Sequence, residues 1–399
     1  MGMVKLSLQD LELKGKRVLV RVDFNVPLDA WGRVGDDRRI RSSLPTIRHI
    51  LAAGGSVILM SHLGRPKGKA VPEMRLGPVA ESLSVLLGLP VKKMDDCVGE
   101  EVEQAASALK PGEVMLLENL RFHPEETSND PDFARRLAIL GDEYVNDAFG
   151  SSHRAHASVD ALPRLFPRAA AGFLLKKELD YLGQVLRSPR RPFITVLGGA
   201  KVSDKIGMIK NLFEKVDAFL IGGGMAYTFL KAGGVGIGDS LVEEEMLPLA
   251  SEILAKAELE KKDFVLPLDH VVAREISPGA SSRIVPRAGI EAGWKGLDIG
   301  PATVEEFARR VRSARTVFWN GPLGVFEVKG FEQGTFGVAR ALADSGAEVI
   351  VGGGDSASAL KQAGLESKVA HISTGGGASL EFLEGKTLPG VAALKDKNG

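Results

Sequence analysis

Two lysines four residues apart, Lys201 and Lys205, follow Gly198-Gly199-Ala200, and a carboxylate, Asp355, follows Gly352-Gly353-Gly354. These residue types suit the handling of phosphate. Cations across a predicted helix start oppose the helix dipole, which makes sense if anionic phosphates lie between them and the free backbone amides. Solvated surface lysines would have the same spacing. Asp355 could partner Mg²⁺, which needs only one or two carboxylates when phosphates supply the remaining oxygens. It could also be the N-cap of the helix that residues 356–360 predict, and the two roles are compatible. Asn320 and Glu327, on either side of Gly321-Pro322, are candidates for contacts to phosphate and ribose, whereas Trp319 beside them reads as core.

Glycine turns position these groups. Four apolar runs in the second half end in glycine: at Gly198-Gly199, Gly222-Gly223-Gly224, Gly352-Gly353-Gly354 and Gly375-Gly376-Gly377. Each reads as a buried parallel strand opening into a tight turn and then a helix, where backbone can approach a ligand and helix amides can meet an anion. That pattern points toward a nucleotide.

The first half delivers a different set of groups. Strand-like runs begin at Arg17, Ser56, Glu113 and Glu143, with helical spacing over residues 44–51 and 76–87 between them, the alternation of a parallel sheet covered by helices. Ligands bind beyond the carboxyl ends of such strands. After the successive runs come Asp23 and Asn25, then His62 and Arg65, then Arg121, then Ser152-His153-Arg154 and His156, with Arg39 at the start of the first crossover helix. Taken singly, an arginine here is an ordinary surface ion-pair partner, His62 a loop histidine, and Asp23 with Asn25 a turn before Pro27. Recurrence at every strand exit carries the functional reading, because clustered guanidinium and imidazole groups repel one another unless an anion fills the cluster.

Composition bounds the rest. With 399 residues the chain is long enough for about two domains. Fifty-one basic and 51 acidic residues give zero formal net charge, so no overall field recruits nucleic acid or an anionic membrane, and anion binding must be local. The single cysteine, Cys97, excludes an internal disulfide framework and suits a reducing compartment; Asp95 and Asp96 beside it would raise its pKa rather than activate it. No segment reaches the length of a membrane span and the N-terminus has no signal-like stretch, so a cytoplasmic protein is expected. A long amphipathic helix from Phe173 to Arg187, closed by Ser188-Pro-Arg-Arg-Pro192, marks the boundary between the domains.

Two familiar nucleotide devices are missing. Gly385-Lys386-Thr387 lacks the earlier glycine of a P-loop, with Leu380 in its place, and no Gly-x-Gly-x-x-Gly turn follows the first strand. The missing dinucleotide fingerprint counts against an oxidoreductase. A non-catalytic anion-binding protein would leave Lys201, Asn320 and Asp355 unexplained.

Together the segments Val22-Asp-Phe-Asn-Val-Pro27, Ser61-His-Leu-Gly-Arg-Pro66, Leu117-Glu-Asn-Leu-Arg-Phe122, Asn146-Asp-Ala-Phe-Gly150, His153-Arg-Ala-His156, Gly198-Gly-Ala-Lys-Val202, Trp319-Asn-Gly-Pro322, Gly352-Gly-Gly-Asp355 and Ser373-Thr-Gly-Gly-Gly377 closely resemble the phosphoglycerate kinases of bacterial type, over nearly the whole chain. The resemblance implies an α/β fold of two doubly wound, Rossmann-like parallel-sheet domains joined by a long helix and hinge. It also implies a monomer that works by domain closure, with no nucleic-acid or membrane partner. The implied reaction is reversible transfer of the acyl phosphate of 1,3-bisphosphoglycerate to ADP, giving 3-phosphoglycerate and ATP with Mg²⁺. The expected domains are residues 1–172 for the glycerate, 173–192 as helix and hinge, 193–383 for the nucleotide, and 384–399 as a tail packing on the first domain.

Carried over by motif, the glycerate site would be Asp23, Asn25, Arg39, His62, Leu63, Gly64, Arg65, Arg121 and Arg154. The nucleotide site would be Gly199, Lys201, Lys205, Gly223 and Gly296, then Asn320, Pro322 and Glu327, then Gly353, Gly354, Asp355, Ser356 and Gly376, with Asp355 also the metal partner. Arg39, Lys201 and Lys205 would be catalytic. Asp36-Asp37-Arg38-Arg39-Ile40 holds two arginines where the family shows one directly before isoleucine, which selects Arg39 and leaves Arg38 as the fallback. In-line transfer needs positioning and charge neutralisation more than covalent chemistry, so no general base is assigned to His62.

Overall fold

A computed structural model describes residues 4–397. The chain forms two units, one running up to Asp180 and including the residues from Lys386 on, the other from Tyr181 to Gly385.

In the first unit, strands β1 (Arg17–Val22), β2 (Ser56–Met60), β3 (Val91–Lys93), β4 (Val114–Leu116), β5 (Glu143–Asp147) and β6 (Ala170–Ala171) form one sheet in the order β3-β4-β2-β1-β5-β6. Every pairing is parallel. The chain leaves β1 toward β2 on one side and returns to β5 on the other, so the order reverses at the β1–β5 border, where Val22 sits opposite Asp147. A crevice opens at such a reversal, outside the carboxyl ends. The helix Arg38–Ala52 covers the sheet with Ile40, Leu44, Ile47 and Ile50, whose spacing of three or four residues keeps them on one buried face. The helix Gly77–Leu87 does the same with Val79, Ala80 and Leu83, and stops at Gly88 with φ 70°. The tail returns to this unit: Gly390 N donates to Ser152 O at 2.9 Å and Lys395 N to Ala169 O at 3.0 Å.

The helix Phe173–Arg187 has the bounds its periodicity predicts. Its start is specified by side chains from elsewhere. Asp147, fully buried at the end of β5, accepts from Leu174 N at 2.8 Å and Leu175 N at 3.2 Å, and Thr46 Oγ1 accepts from Phe173 N at 2.9 Å. These bonds satisfy amides that a helix leaves unpaired. Burial still pushes the Asp147 carboxyl up to about 6.

In the second unit, β7 (Phe193–Leu197), β8 (Ala218–Ile221), β9 (Asp263–Val265), β10 (Asp269–Ala273), β11 (Ser282–Pro286), β12 (Lys295–Ile299), β13 (Thr316–Asn320), β14 (Glu348–Gly352) and β15 (His371–Ile372) make two sheets. Six run parallel in the order β15-β14-β13-β7-β8-β9, and the reversal falls between β7 and β13, with Leu197 opposite Asn320. Trp319 and Phe318 are fully buried on β13, each side chain contributing roughly 1.5–3 kcal/mol or more through burial. β10 pairs antiparallel with β11 and β12 in a separate three-stranded sheet. The strand, turn and helix alternation of the sequence does not announce this sheet. Among the described residues no helix is long and apolar enough to cross a membrane.

Candidate functional site

The first unit gathers its cations at the β1–β5 border and the neighbouring β2 exit. Arg39 Nη1 lies 2.9 Å from Asp23 Oδ1 and 3.2 Å from the Asn25 carbonyl, while its Nε and Nη2 have no hydrogen-bond partner among the described residues. Arg38 instead points to Asp36, with Nε 2.8 Å from its Oδ2, on the exposed side of the helix. Asn25 Oδ1 accepts from Gly64 N at 2.8 Å, and Arg121 Nη1 donates to Gly64 O at 2.9 Å. Asn119 Nδ2 donates to Leu63 O at 2.7 Å, so the turn after β2 is held from both sides. Gly64 has φ 65°, and a Cβ there would stand 2.8 Å from Met74 Sδ. Only glycine fits.

Arg121 is buried, and its Nε meets no hydrogen-bond partner. Burial and the charges of Arg21 and Arg154 bring its pKa down to about 10, still protonated at neutral pH. His156 falls to about 4, from burial and the same arginine neighbourhood, and His62 is held well below the usual range by burial and then by Arg21, Arg121 and Arg39. Both rings are therefore neutral at pH 7. Arg154 is half-buried with Nε 3.1 Å from His153 Nε2, and Arg65 is exposed with no hydrogen bond or ion pair among the described residues. A concentration of unneutralised cations with two imidazoles held neutral is what an anion site needs.

Sequence reasoning passed over three members of this cluster. Arg21, inside β1, is fully buried and reaches His62 Nδ1 at 3.1 Å; Ser158 and the buried carboxylate of Glu126 stand behind it. A lone cation within Val-Leu-Val-Arg-Val was the available sign.

In the second unit the glycine turns interlock at the β7–β13 border. Gly198 N donates to Asn320 O at 3.0 Å, Gly199 N to Pro322 O at 2.8 Å and Gly223 N to Leu323 O at 3.0 Å. A Cβ on Gly198 would lie 2.1 Å from Pro322 O. That glycine serves turn-on-turn packing, whereas the sequence reading assigned these runs to ligand approach. Gly199, Gly354 and Gly376 do face open space.

Beside the turns lies a cavity of about 460 Å³, within the size range of small-ligand pockets. Of the expected residues it brings together Gly199, Gly223, Gly296, Pro322, Glu327 and Asp355. Its walls also include Tyr227, Leu241, Leu297, Leu323 and Val325, none of which the sequence singles out, because they come from four separate stretches. Lys205, Asn320, Gly353 and Ser356 form an adjoining group: Lys205 Nζ donates to Asn320 Oδ1, Ser356 Oγ accepts from Gly321 N at 2.7 Å, and a Cβ on Gly353 would meet Asn320 Nδ2 at 3.0 Å. Burial lowers the Lys205 pKa, partly opposed by Asp204 and Asp355. Lys201 is exposed and Gly376 caps the helix Gly377–Leu383; neither lines the cavity.

Two expectations are corrected here. The helix Ile206–Leu212 begins after Lys205, so both lysines lie in the loop rather than across the first turn. Asp355 is not an N-cap: Gly353 takes that place, and Asp355 sits in the first turn of Gly354–Gln362 with its side chain exposed. There it makes no hydrogen bond or ion pair among the described residues, and it faces the cavity.

A basic anion site on one parallel-sheet unit and a glycine-turn cavity on another define an α/β phosphotransferase acting on small molecules. The profile of the phosphoglycerate kinases matches residues 8–386. A phosphoglycerate kinase of Moorella thermoacetica is 60% identical over 395 residues, covering 99% of this chain and all of that protein, and one of Chlorobaculum tepidum is 57% identical over 397 residues with the same coverage. The solved structure of phosphoglycerate kinase from Coxiella burnetii superposes with a TM-score of 0.89 at 41% identity, covering 98% of both chains. That from Pyrococcus horikoshii gives 0.84 at 33% identity, again over 98% of each. The chain belongs to the phosphoglycerate kinase family. It is a kinase of glycolysis, transferring a phosphoryl group between 1,3-bisphosphoglycerate and ADP, with ATP and ADP as co-substrates.

Proposed function

We propose that the first unit, with the tail from Lys386 on, is the glycerate-binding domain, and that the second is the nucleotide-binding domain. The observation that carries this reading is the Arg39–Asp23–Asn25–Gly64–Arg121 chain of contacts, which arrays guanidinium groups with unused donors on one crevice. In the first unit Arg65, Arg121 and Arg154 bind the phosphate and carboxylate of 3-phosphoglycerate. His62 contributes a neutral hydrogen bond. Arg39, anchored through one nitrogen only, directs its remaining donors to the transferring phosphoryl group and neutralises charge there.

In the second unit the apolar walls around Leu241, Leu297 and Val325 take the nucleotide base, with Glu327 at the ribose, while Gly353 and Gly354 offer amides to the phosphates and Gly199 leaves open space beside them. Lys201 and Lys205 supply positive charge, and Asn320 holds Lys205 in place. Mg²⁺ fits at Asp355, whose exposed, unpartnered carboxylate faces the cavity. Bound there, the ion would neutralise phosphate oxygens, and cytoplasmic glycolysis supplies the setting.

The test is ADP formation from MgATP with and without 3-phosphoglycerate, with the acyl phosphate drained by glyceraldehyde-3-phosphate dehydrogenase and NADH. Turnover requiring both substrates is the expected result. A folded sample that binds nucleotide but does not turn over would leave these residues as binding groups only.

A further inference from the structure

Arg21 stands in the middle of an apolar strand with its guanidinium sealed from solvent. A buried cation is tolerated only when its donors are used. Nε donates to Ser158 Oγ at 2.8 Å, Nη1 donates to the Val22 carbonyl, and Nη2 reaches His62 Nδ1 at 3.1 Å. Behind Ser158 lies Glu126, fully buried, which accepts from Ser158 Oγ at 2.7 Å and from Ser158 N at 2.9 Å. The countercharge of Arg21 is thus held one hydroxyl away.

A guanidinium has donors and no acceptor, and it does not lose its proton in a protein. The nitrogen facing Nη2 must therefore present a lone pair, which leaves the ring hydrogen on Nε2. We infer that Arg21 is a positioning residue for the glycerate site: its Nη2 donor fixes His62 as the neutral Nε2–H tautomer, so that the ring meets the substrate anion as a hydrogen-bond donor. This rests on the reading of the first unit as the glycerate domain.

Two observations agree. No described residue hydrogen-bonds His62 Nε2, so its hydrogen is available to a substrate oxygen. The charged and titratable groups facing the ring are Arg21 from β1, Arg39 from the first crossover helix, Arg121 from the turn after β4 and His156 from the segment after β5, and together with burial all of them disfavour an imidazolium. A neutral donor is thus specified chemically, among neighbours that would repel a charged one.

The experiment is long-range ¹H–¹⁵N correlation on protein carrying ¹⁵N-labelled histidine, with His62 assigned by its loss in His62→Gln. The expected result at pH 7 is an unprotonated Nδ1 and a protonated Nε2. An Nδ1–H ring or an imidazolium overturns the inference, without reference to any variant. Arg21→Met should release the tautomer, raise the pH at which His62 titrates, and raise the KM for 3-phosphoglycerate about tenfold with kcat within about threefold, the size expected for misaligning one buried hydrogen bond. A folded R21M protein with an unchanged ring spectrum and unchanged KM also overturns it. If the wild-type ring is Nε2–H yet does not respond to 3-phosphoglycerate, the glycerate reading fails and takes the substrate role with it, while the tautomer assignment stands.

Discussion

Arg39 and Asp23 are joined by a 2.9 Å contact between Nη1 and Oδ1 that crosses from the first crossover helix to the exit of β1, while the adjacent Arg38 turns away to Asp36. Two neighbouring arginines on one helix turn thus have different environments. By comparison with arginine fingers, Arg39→Ala is predicted to lower kcat on the order of 10³-fold while changing the KM for 3-phosphoglycerate only modestly. Arg38→Ala, which removes an exposed pair, should stay within about twofold of wild type. Steady-state kinetics on both variants checks this, and an inverted pattern would move the role to Arg38.

Asp355 is predicted to set the metal requirement. Asp355→Asn keeps the shape and removes the charge, so the Mg²⁺ concentration for half-maximal activity should rise about tenfold or more, with folding unaffected because the carboxylate is exposed and unpartnered. Magnesium titration of activity alongside a melting curve measures both. An unchanged titration would remove the carboxylate from the metal site.

Asp298 supplies a pH signature of stability. It is buried beneath the cavity wall, accepts from Gly334 N at 2.6 Å and Ile299 N at 2.9 Å, and burial pushes its pKa up from 3.8 to about 8. A folded pKa above the unfolded one means that the native state holds the proton more tightly. Its contribution is therefore greatest below pH 4 and is lost as pH rises toward 8. Asp298→Asn should flatten the fall in Tm between pH 5 and 8 relative to wild type. Parallel slopes for the two proteins would show that this carboxyl does not titrate in that window.

The interlocked turns predict a contrast between two glycines. Gly198→Ala places a Cβ 2.1 Å from the Pro322 carbonyl oxygen, backbone against backbone, and should cost about 3 kcal/mol or more of unfolding free energy. Gly354→Ala opens onto free space in a helical first turn and should lie within about 0.5 kcal/mol of wild type. Urea unfolding of both variants separates packing glycines from those that leave room for a ligand.

Much was legible locally. The helix Phe173–Arg187 and the strands around Arg17, Ser56, Phe193 and Thr316 appear in the sequence because apolar periodicity and glycine or proline punctuation are properties of neighbouring residues. Residue types at strand exits likewise pointed to the basic cluster and to the glycine turns before any geometry was known. Tertiary structure decided the rest. Val91–Lys93 and Ala170–Ala171 are too short to carry a pattern and exist only by pairing with β4 and β5. The antiparallel sheet of β10 to β12 and the apolar cavity walls come from stretches far apart in the chain. Which of two arginines meets Asp23, which glycines are filled by another turn, and which nitrogen of His62 faces Arg21 depend on distances between remote segments. Sequence by itself determined the longer elements and the chemistry they could carry; only folding decided the short strands and the partners, because a partner across a sheet border leaves no trace in local composition.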